Sequence, residues 1–395
     1  MWNKELEYVR PIDLESILER VGDVAKDVAS KYAEEVDREA RWPNESVRAL
    51  LAAGLGGLTI PEEYGGLGQG SYALAKVCET LGQECASTAM CFGMHCVGSA
   101  VLAAKSTADQ HRRYLAEINE GRHLTTLSLS EPGTGAHFYL PHTKLEAVSG
   151  GYYRLNGTKM FVTNGAEADS YVVSAAFTED DTHPVGEFTC VVVPNESKGM
   201  QWGPAWKGIG MRGNASRSLE FQDVEVPQEN LLGDEGDHIW YVFQVVAPYF
   251  LMAMAGTYLG IASSALEDAR DHLIKRQYTD TGMRLGEAPV LQHKLGTLWG
   301  VLERTRRLMY HAASSFDYGD PDALPAVFSS KAEVADCAVG IVNEVMTICG
   351  GIGYRENGKI HRLLRDARAA HVMGPTTDIL RIWTGRVLLG QPILD

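Results

Sequence analysis

Two glycine-rich loops are the first residues in this sequence whose types and spacing bear on chemistry. Gly350-Gly351-Ile352-Gly353 follows an apolar helical run, and reads either as a helix stop or as bare backbone that lets a phosphate or sugar come close. Glu131-Pro132-Gly133-Thr134-Gly135 follows a strand-like run and, taken alone, reads as a turn that needs glycine. Asn156-Gly157 reads as a hairpin turn ahead of the run Lys159–Thr163. The sequence has no Walker phosphate loop and no Gly-x-Gly-x-x-Gly fingerprint placed between a strand and a helix. Its seven cysteines, at 78, 85, 91, 96, 190, 337 and 349, form no C-x-x-C pair, and no histidine pair stands at ligand spacing beside Cys91 and Cys96. Buried, reduced thiols are expected, with no metal site and no disulfide framework.

The elements that must position these loops fall into three zones. From Pro11 to about His123 the apolar period is helical, with Leu14, Ile17, Val21, Val24, Val28 and Tyr32 on one stripe. A short helix follows, with Pro43 at its first turn and Gly54 closing it, and Gly65-Gly66-Leu67-Gly68 turns the chain into another helix through Ala73–Leu81. From Leu124 to about Gly236 the period becomes two: Thr125–Leu129, Lys144–Val148, Lys159–Thr163, Tyr171–Ala176, Phe188–Val193 and Ser218–Phe221 are short strand-like runs. These describe a small β-barrel or sandwich. From His238 to Leu389 helical spacing returns, and Val334, Cys337, Ala338, Ile341, Val345 and Ile348 mark one helix stopped by Gly350-Gly351. The expected layout is α+β and multidomain: a helical domain (1–123), a β domain (124–236) and an antiparallel helical bundle (237–395).

Composition excludes several classes. With 395 residues, 45% of them hydrophobic and 22% charged, the chain is long enough for two or three domains with their own cores. Thirty-six Lys+Arg against 51 Asp+Glu give a formal net charge of −15, a field that repels nucleic acid and anionic membranes. The apolar stretch Val245–Ala255 is short for a bilayer span and contains Pro248. The start, Met1-Trp2-Asn3-Lys4-Glu5-Leu6-Glu7, has no apolar core, so no signal peptide and a cytoplasmic protein are expected.

The order of the motifs says more than any one of them. The segments Gly54-Leu55 through Ile60-Pro61-Glu62-Glu63-Tyr64-Gly65-Gly66, Leu129-Ser130-Glu131-Pro132-Gly133-Thr134-Gly135 and Leu155 to Gly165 are followed by Gly210-Met211-Arg212-Gly213 and by Val226-Pro227 with Asn230-Leu231-Leu232-Gly233. Gly350-Gly351-Ile352-Gly353-Tyr354 and Arg365-Asp366-Ala367-Arg368 complete the series. Over nearly its whole length the chain resembles the acyl-CoA dehydrogenase flavoprotein family. The resemblance implies an N-terminal helical domain, a middle β-barrel domain and a C-terminal four-helix bundle. It implies FAD between the last two, completed by a neighbouring subunit in a homotetramer built as a dimer of dimers. An acyl thioester is the implied substrate, with an electron-transfer flavoprotein as a possible partner.

Residue by residue, the resemblance puts Leu127, Leu129 and Ser130 on the strand that meets the isoalloxazine edge, and Phe161, Val162 and Thr163 against the ring. Phe161 stands where an indole is usual, and Thr163 is placed to hydrogen-bond the hydride-accepting nitrogen. Arg276, Gln292, Gly350, Gly351 and Thr376, with Asp378 two residues on, match positions at the pyrophosphate and adenosine. Flavin would supply the redox chemistry, and the protein orientation and exclusion of water.

The pattern breaks at the proton acceptor. Most members place a glutamate two residues before the threonine matched by Thr376, where this chain has Gly374; a minority place it on the first long bundle helix, where this chain has Phe250 followed by Leu251. The resemblance implies that the backbone N–H at this position polarises the thioester carbonyl, and Gly374 keeps it; Phe250 and Leu251 form a pocket wall or simply pack. The family's Arg-x-x-Phe-Gly reads Arg276-Gln277-Tyr278-Thr279-Asp280, and a serine usually near the pyrophosphate is missing from Gly133-Thr134-Gly135-Ala136-His137. His137 reads as a loop residue. His95, His371, Asp378 and Tyr249 are the candidate replacement bases, each with a purely structural explanation. Three functions stay open: dehydrogenation of an unusual acyl thioester, different flavin chemistry on the same fold (sulfinate elimination or reduced-flavin hydroxylation), and a non-catalytic flavin-binding module.

Overall fold

The computed structural model describes residues 14–177, 188–235 and 240–394. Leu14, Ile17 and Val21 bury one face of α1 (Leu14–Val24), as the spacing predicts, but the stripe then changes course. A π turn over Ala25–Ala29 leads into α2 (Ser30–Glu39), and burial passes to Ala25, Ala29, Ala33 and Val36 while Val24, Val28 and Tyr32 lie half-buried beside it. The wider turn shifts the register, so alanines carry the contact. α3 (Asn44–Ala52) begins after Pro43 and ends before Gly54, and α4 (Ser71–Glu84) follows the glycine turn. α5 (Ala86–Ala104) is buried on every face, and the short α6 (Ala108–Gln110) and α7 (Ala116–Asn119) close this region.

The middle region forms two four-stranded sheets. Strands β1 (Thr125–Ser128), β4 (Ser170–Ala175), β5 (Thr189–Pro194) and β8 (Leu231–Leu232) make one; β2 (Lys144–Val148), β3 (Tyr152–Val162), β7 (Arg217–Pro227) and β6 (Met200–Ala205) make the other. β1 and β4 run parallel and the remaining pairs antiparallel. Leu145, Tyr153, Leu155, Tyr171, Val173, Val191, Leu219 and Val224 fill one core between the sheets. The hairpin expected at Asn156-Gly157 is not there. Those residues lie inside the continuous strand β3, where Gly157 (φ 148°) sits at a register shift against β7, and the turn between β2 and β3 uses Gly150 and Gly151 at positive φ instead. An Asn-Gly pair serves a bulge as readily as a turn, because both need glycine's freedom.

The C-terminal region is built on α8 (Ala247–Lys275), α9 (Pro289–Tyr318) and α10 (Ala323–Cys349), with α11 (Lys359–Val372) and α12 (Thr377–Leu388) packed on α10. α4 crosses α8 closely because a Cβ at Gly256 would stand 2.3 Å from the Ala75 carbonyl and one at Gly260 2.4 Å from that of Glu79. The stretch around Val245–Ala255 belongs to a longer helical segment than its sequence suggests. Val242–Lys275, Ala86–Ala104 and Ala323–Ile352 are each long and apolar enough to cross a membrane. Thr257 and Ser263 are accommodated within the first of these because each hydroxyl donates back to the carbonyl four residues earlier. The apolar windows of the first two lie almost wholly inside the protein.

The three regions meet at one polar junction. Arg365 of α11 pairs with Asp37 of α2, Arg212 Nε donates to the Asp37 carbonyl at 2.7 Å, and the Met211 N–H donates to Asp366 Oδ1 at 2.6 Å. Burial pushes the Asp366 carboxyl up to about 6. The folded state therefore holds this proton more tightly than the unfolded chain, so stability falls as pH rises from about 4 through about 6. Asp366→Asn is expected to flatten that decline, as read from urea unfolding midpoints at pH 4.5 and 6.5. Equal slopes in the two proteins would refute the assignment.

Candidate active site

β1 is fixed from below by α5. The Thr125 N–H donates to His95 Nδ1 at 3.1 Å and His95 Nε2 lies 3.0 Å from the Gly56 carbonyl, which selects the neutral Nε2–H tautomer. The ring is fully buried, and burial pushes its pKa down to about 4. His95 is a pin for β1 and not a base facing a substrate.

Beyond β1, the chain carrying Leu129 and Ser130 is tied to β3. The Met160 N–H donates to the Ser130 carbonyl at 2.7 Å. Lys159 Nζ, buried in β3, donates to the Leu129 carbonyl (3.2 Å), to Glu131 Oε1 (2.5 Å) and to Ser174 Oγ (3.0 Å). Glu131 also accepts from the His142 N–H, the Thr143 N–H and Thr143 Oγ1. Its carboxyl is held below the usual range by these donors and the adjacent ammonium, against the opposing effect of burial. A second register shift, between Lys159 and Val162, turns Phe161 outward at φ 55°, and its ring is 54% exposed beside Trp206, with centroids 5.3 Å apart and nearly perpendicular. Val162 is buried, and Thr126 Oγ1 donates to the Thr163 carbonyl at 3.1 Å, while among the described residues no hydrogen bond engages the Thr163 hydroxyl. Leu127, Leu129, Ser130, Phe161, Val162 and Thr163 are thus brought together. Ser128 Oγ is buried beside them without a hydrogen-bond partner among the described residues.

The bundle carries the other residues expected at the site. Phe250 is half-buried on α8, Leu251 is fully buried in the core, and the Tyr249 ring packs on Phe316 at 6.3 Å. Burial, with Asp317 nearby, pushes the Tyr249 phenol well above its ordinary value, further from use as a base at neutral pH. At the end of α11, Lys331 Nζ reaches up from α10 and donates to the carbonyls of Ala370 (2.9 Å), Met373 (3.1 Å) and Pro375 (2.9 Å). The next peptide bond, Gly374–Pro375, is cis. Gly374 is exposed, and a Cβ built on it meets no atom within 4 Å. His371 Nε2 lies 2.8 Å from Asp336 Oδ1, and Arg381 bonds the same carboxylate, so this histidine is engaged by a surface carboxylate of α10. Asp378 is exposed in the first turn of α12, which Thr376 precedes at the cap position. His137 is an exposed loop residue with its ring 5.7 Å from that of Tyr139.

Comparison with known proteins decides the family. Three family models match in chain order: the acyl-CoA dehydrogenase N-terminal domain over residues 12–122, the middle domain over 126–224 and the C-terminal domain over 240–389. The chain belongs to the acyl-CoA dehydrogenase family. It is 30% identical over 379 residues to an isovaleryl-CoA dehydrogenase of Arabidopsis thaliana, covering 94% of this chain and 90% of that protein. The solved butyryl-CoA dehydrogenase of Megasphaera elsdenii superposes with a TM-score of 0.90 at 27% identity, covering 97% of this chain and all of the other. An FAD complex of PigA, 20% identical, shares the fold with a TM-score of 0.87 over 98% of this chain and 99% of that one. The resemblance and the fold class expected from the sequence are both borne out, and homologues in this acyl-CoA dehydrogenase family bind FAD.

The residues present fit that cofactor. An outward aromatic ring at a positive φ, the hydroxyls of Thr163 and half-exposed Ser130, and the Ser128 hydroxyl, which has no partner among the described residues, offer a face and donors to a planar, hydrogen-bonding ring system. The remaining matched positions sit apart on the bundle. Arg276 follows α8 and donates to the Gln277 carbonyl at 2.6 Å, and Gln292, in the first turn of α9, donates to the Gly286 carbonyl at 3.0 Å. Gly350 (φ 59°) and Gly351 are exposed with open space where a side chain would stand, a bare backbone suited to a phosphate. Among the described residues no hydrogen bond joins these four to the β-domain group.

The roles of three residues at the candidate site escaped the sequence reading. The Lys159–Glu131 pair was visible only as a lysine inside a strand-like run and a glutamate in a turn. Lys331 lies in a helix with no carboxylate at its Nζ, and nothing in its local sequence announces that it meets the turn at Gly374.

Proposed function

We propose that this protein is an FAD-dependent enzyme acting on an acyl thioester, carried by CoA or a carrier protein, without a carboxylate base at position 374 or 250. The observation behind this reading is the turn Met373-Gly374-Pro375: its backbone is held by three bonds from Lys331, yet it presents a hydrogen atom where the family commonly presents glutamate. Bound FAD would supply an acceptor for a hydride from the thioester's β-carbon. Leu127, Leu129, Ser130, Phe161, Val162 and Thr163 would hold its ring. Arg276, Gln292, Gly350, Gly351, Thr376 and Asp378 would hold its pyrophosphate and adenosine, and the exposure of most of these on one chain supports a site completed by a second subunit of a homotetramer. The Gly374 N–H polarises the thioester carbonyl, while half-buried Phe250, backed by Leu251 in the core, excludes water from that side. With His95 pinned, His371 paired, the Tyr249 phenol raised and Asp378 exposed at the start of α12, the α-proton is read as acidified by the substrate's own structure or taken by a base outside these four. Seven free, buried cysteines support residence in the reducing cytoplasm, where an electron-transfer flavoprotein would be the partner.

The open space at Gly374 favours a second reading in which a bulkier thioester undergoes sulfinate elimination or hydroxylation on the same flavin site. Anaerobic mixing of the FAD-replete protein with straight-chain acyl-CoAs separates these. Flavin bleaching is expected to be slower by about 10²-fold or more than in a member with the glutamate, the usual worth of a positioned base. Rapid bleaching would overturn the proposal. Sulfinate release from a sulfino-substituted acyl-CoA with the flavin still oxidised, or oxygen uptake when the reduced protein is returned to air, would establish the second reading.

A further inference from the structure

Lys331 is 1% exposed, and its hydrogen bonds all go to main-chain carbonyls at the end of α11. Three N–H donors meet three acceptors there, which is the stoichiometry of an ammonium. A helix C-terminus leaves its last carbonyls unpaired and carries partial negative charge, so a cation at that place answers both needs. The contact with Met373 matters most. Its carbonyl and the Gly374 N–H belong to one peptide group, and in a trans peptide the two point in opposite directions. A cation bonded to the carbonyl draws electron density through that peptide and strengthens its N–H as a donor on the far side. That N–H makes no hydrogen bond within the chain among the described residues, and its residue is exposed.

We propose that Lys331 is a positioning residue that both fixes the Met373-Gly374-Pro375 turn and polarises the Gly374 N–H toward the carbonyl of a bound thioester. This rests on the reading of that N–H as the thioester's donor, and deepens it by placing the charge behind the donor on α10. Burial pulls the amine's pKa down to about 7, while the three carbonyls favour the charged form. Lys331 touches neither thioester nor flavin in this account and acts only through the peptide.

The test is the infrared stretch of a ¹³C-labelled thioester carbonyl in butyryl-CoA, bound to FAD-replete wild type, Lys331→Met and Lys331→Gln. Wild type is expected to move the stretch to lower wavenumber than in free butyryl-CoA. Lys331→Met should lose at least half of that shift and bind butyryl-CoA about tenfold more weakly, the scale of one weakened charge-assisted bond. Lys331→Gln keeps two N–H donors for the turn, so it preserves the backbone while removing the charge, and its shift should also shrink. A wild-type shift retained in full by either folded variant overturns the role of Lys331 and leaves the Gly374 N–H as donor. No shift in wild type removes that donor reading itself, and Lys331 with it.

Discussion

Gly374→Glu is expected to raise the rate of anaerobic flavin reduction by straight-chain acyl-CoAs about 10²–10⁴-fold, the contribution of a positioned general base. The substitution is sterically free. A Cβ at this position meets no atom within 4 Å, the residue is exposed, and its φ is not among the positive values that only glycine adopts readily. The three bonds from Lys331 hold the flanking carbonyls and not the glycine itself, so the new side chain inherits an ordered turn. Gly374→Gln is the matched control: it has the same size but cannot accept the α-proton, and should show no gain. The gain should appear as pH rises through the carboxylate range near about 4–5, where the new side chain ionises. If the folded, FAD-replete glutamate variant reduces no faster than the glutamine one, position 374 is not the family's base position.

Lys159→Met is expected to cost about 3–5 kcal/mol of stability and to release flavin, because it strands a buried carboxylate. Lys159 is 0% and Glu131 4% exposed at the side chain, so neither has water to replace its partner. Glu131 holds the loop by three further bonds at His142 and Thr143, and Lys159 holds the Leu129 carbonyl. Breaking the pair therefore unfastens the segment that carries Leu129 and Ser130, the matched flavin edge. Removing both charges together, in Lys159→Met with Glu131→Leu, should recover part of the loss. The acid side follows from the direction of the Glu131 shift. A carboxyl held low in the folded state contributes stability above its unfolded pKa of about 4.3, and loses it as pH falls through the folded value. Glu131→Gln should accordingly unfold less steeply than wild type below about pH 4. Urea unfolding with flavin absorbance as a second signal measures both effects, and a loss under about 1 kcal/mol in Lys159→Met would show the pair to be dispensable.

The legibility of this protein differs from level to level. The helical, sheet, helical order stood in the sequence because each element writes its own period: Ile17 and Val21 at helical spacing, Tyr171 to Ala176 as an inward-facing strand, Ile341 and Val345 along α10. The ordered motifs from Ile60-Pro61 to Arg365-Asp366 carried the family, since many weak local signals in a fixed order are jointly specific. Local readings failed where one residue type serves two geometries, as at Asn156-Gly157, or where a widened helical turn moved burial onto alanines between Ala25 and Ala29.

The sequence by itself determined the succession of elements, the family and the identity of the residues at positions 374 and 250. Only the tertiary structure decided which polar groups meet. It put His95 between β1 and Gly56, His371 on Asp336, Lys159 on Glu131, and Lys331 beneath a turn 42 residues further along the chain. Periodicity reports which face of an element is apolar, a property of neighbours along the chain. The partner of a buried charge is set by how elements pack across the fold, where low dielectric makes each unpaired group costly and each pairing specific.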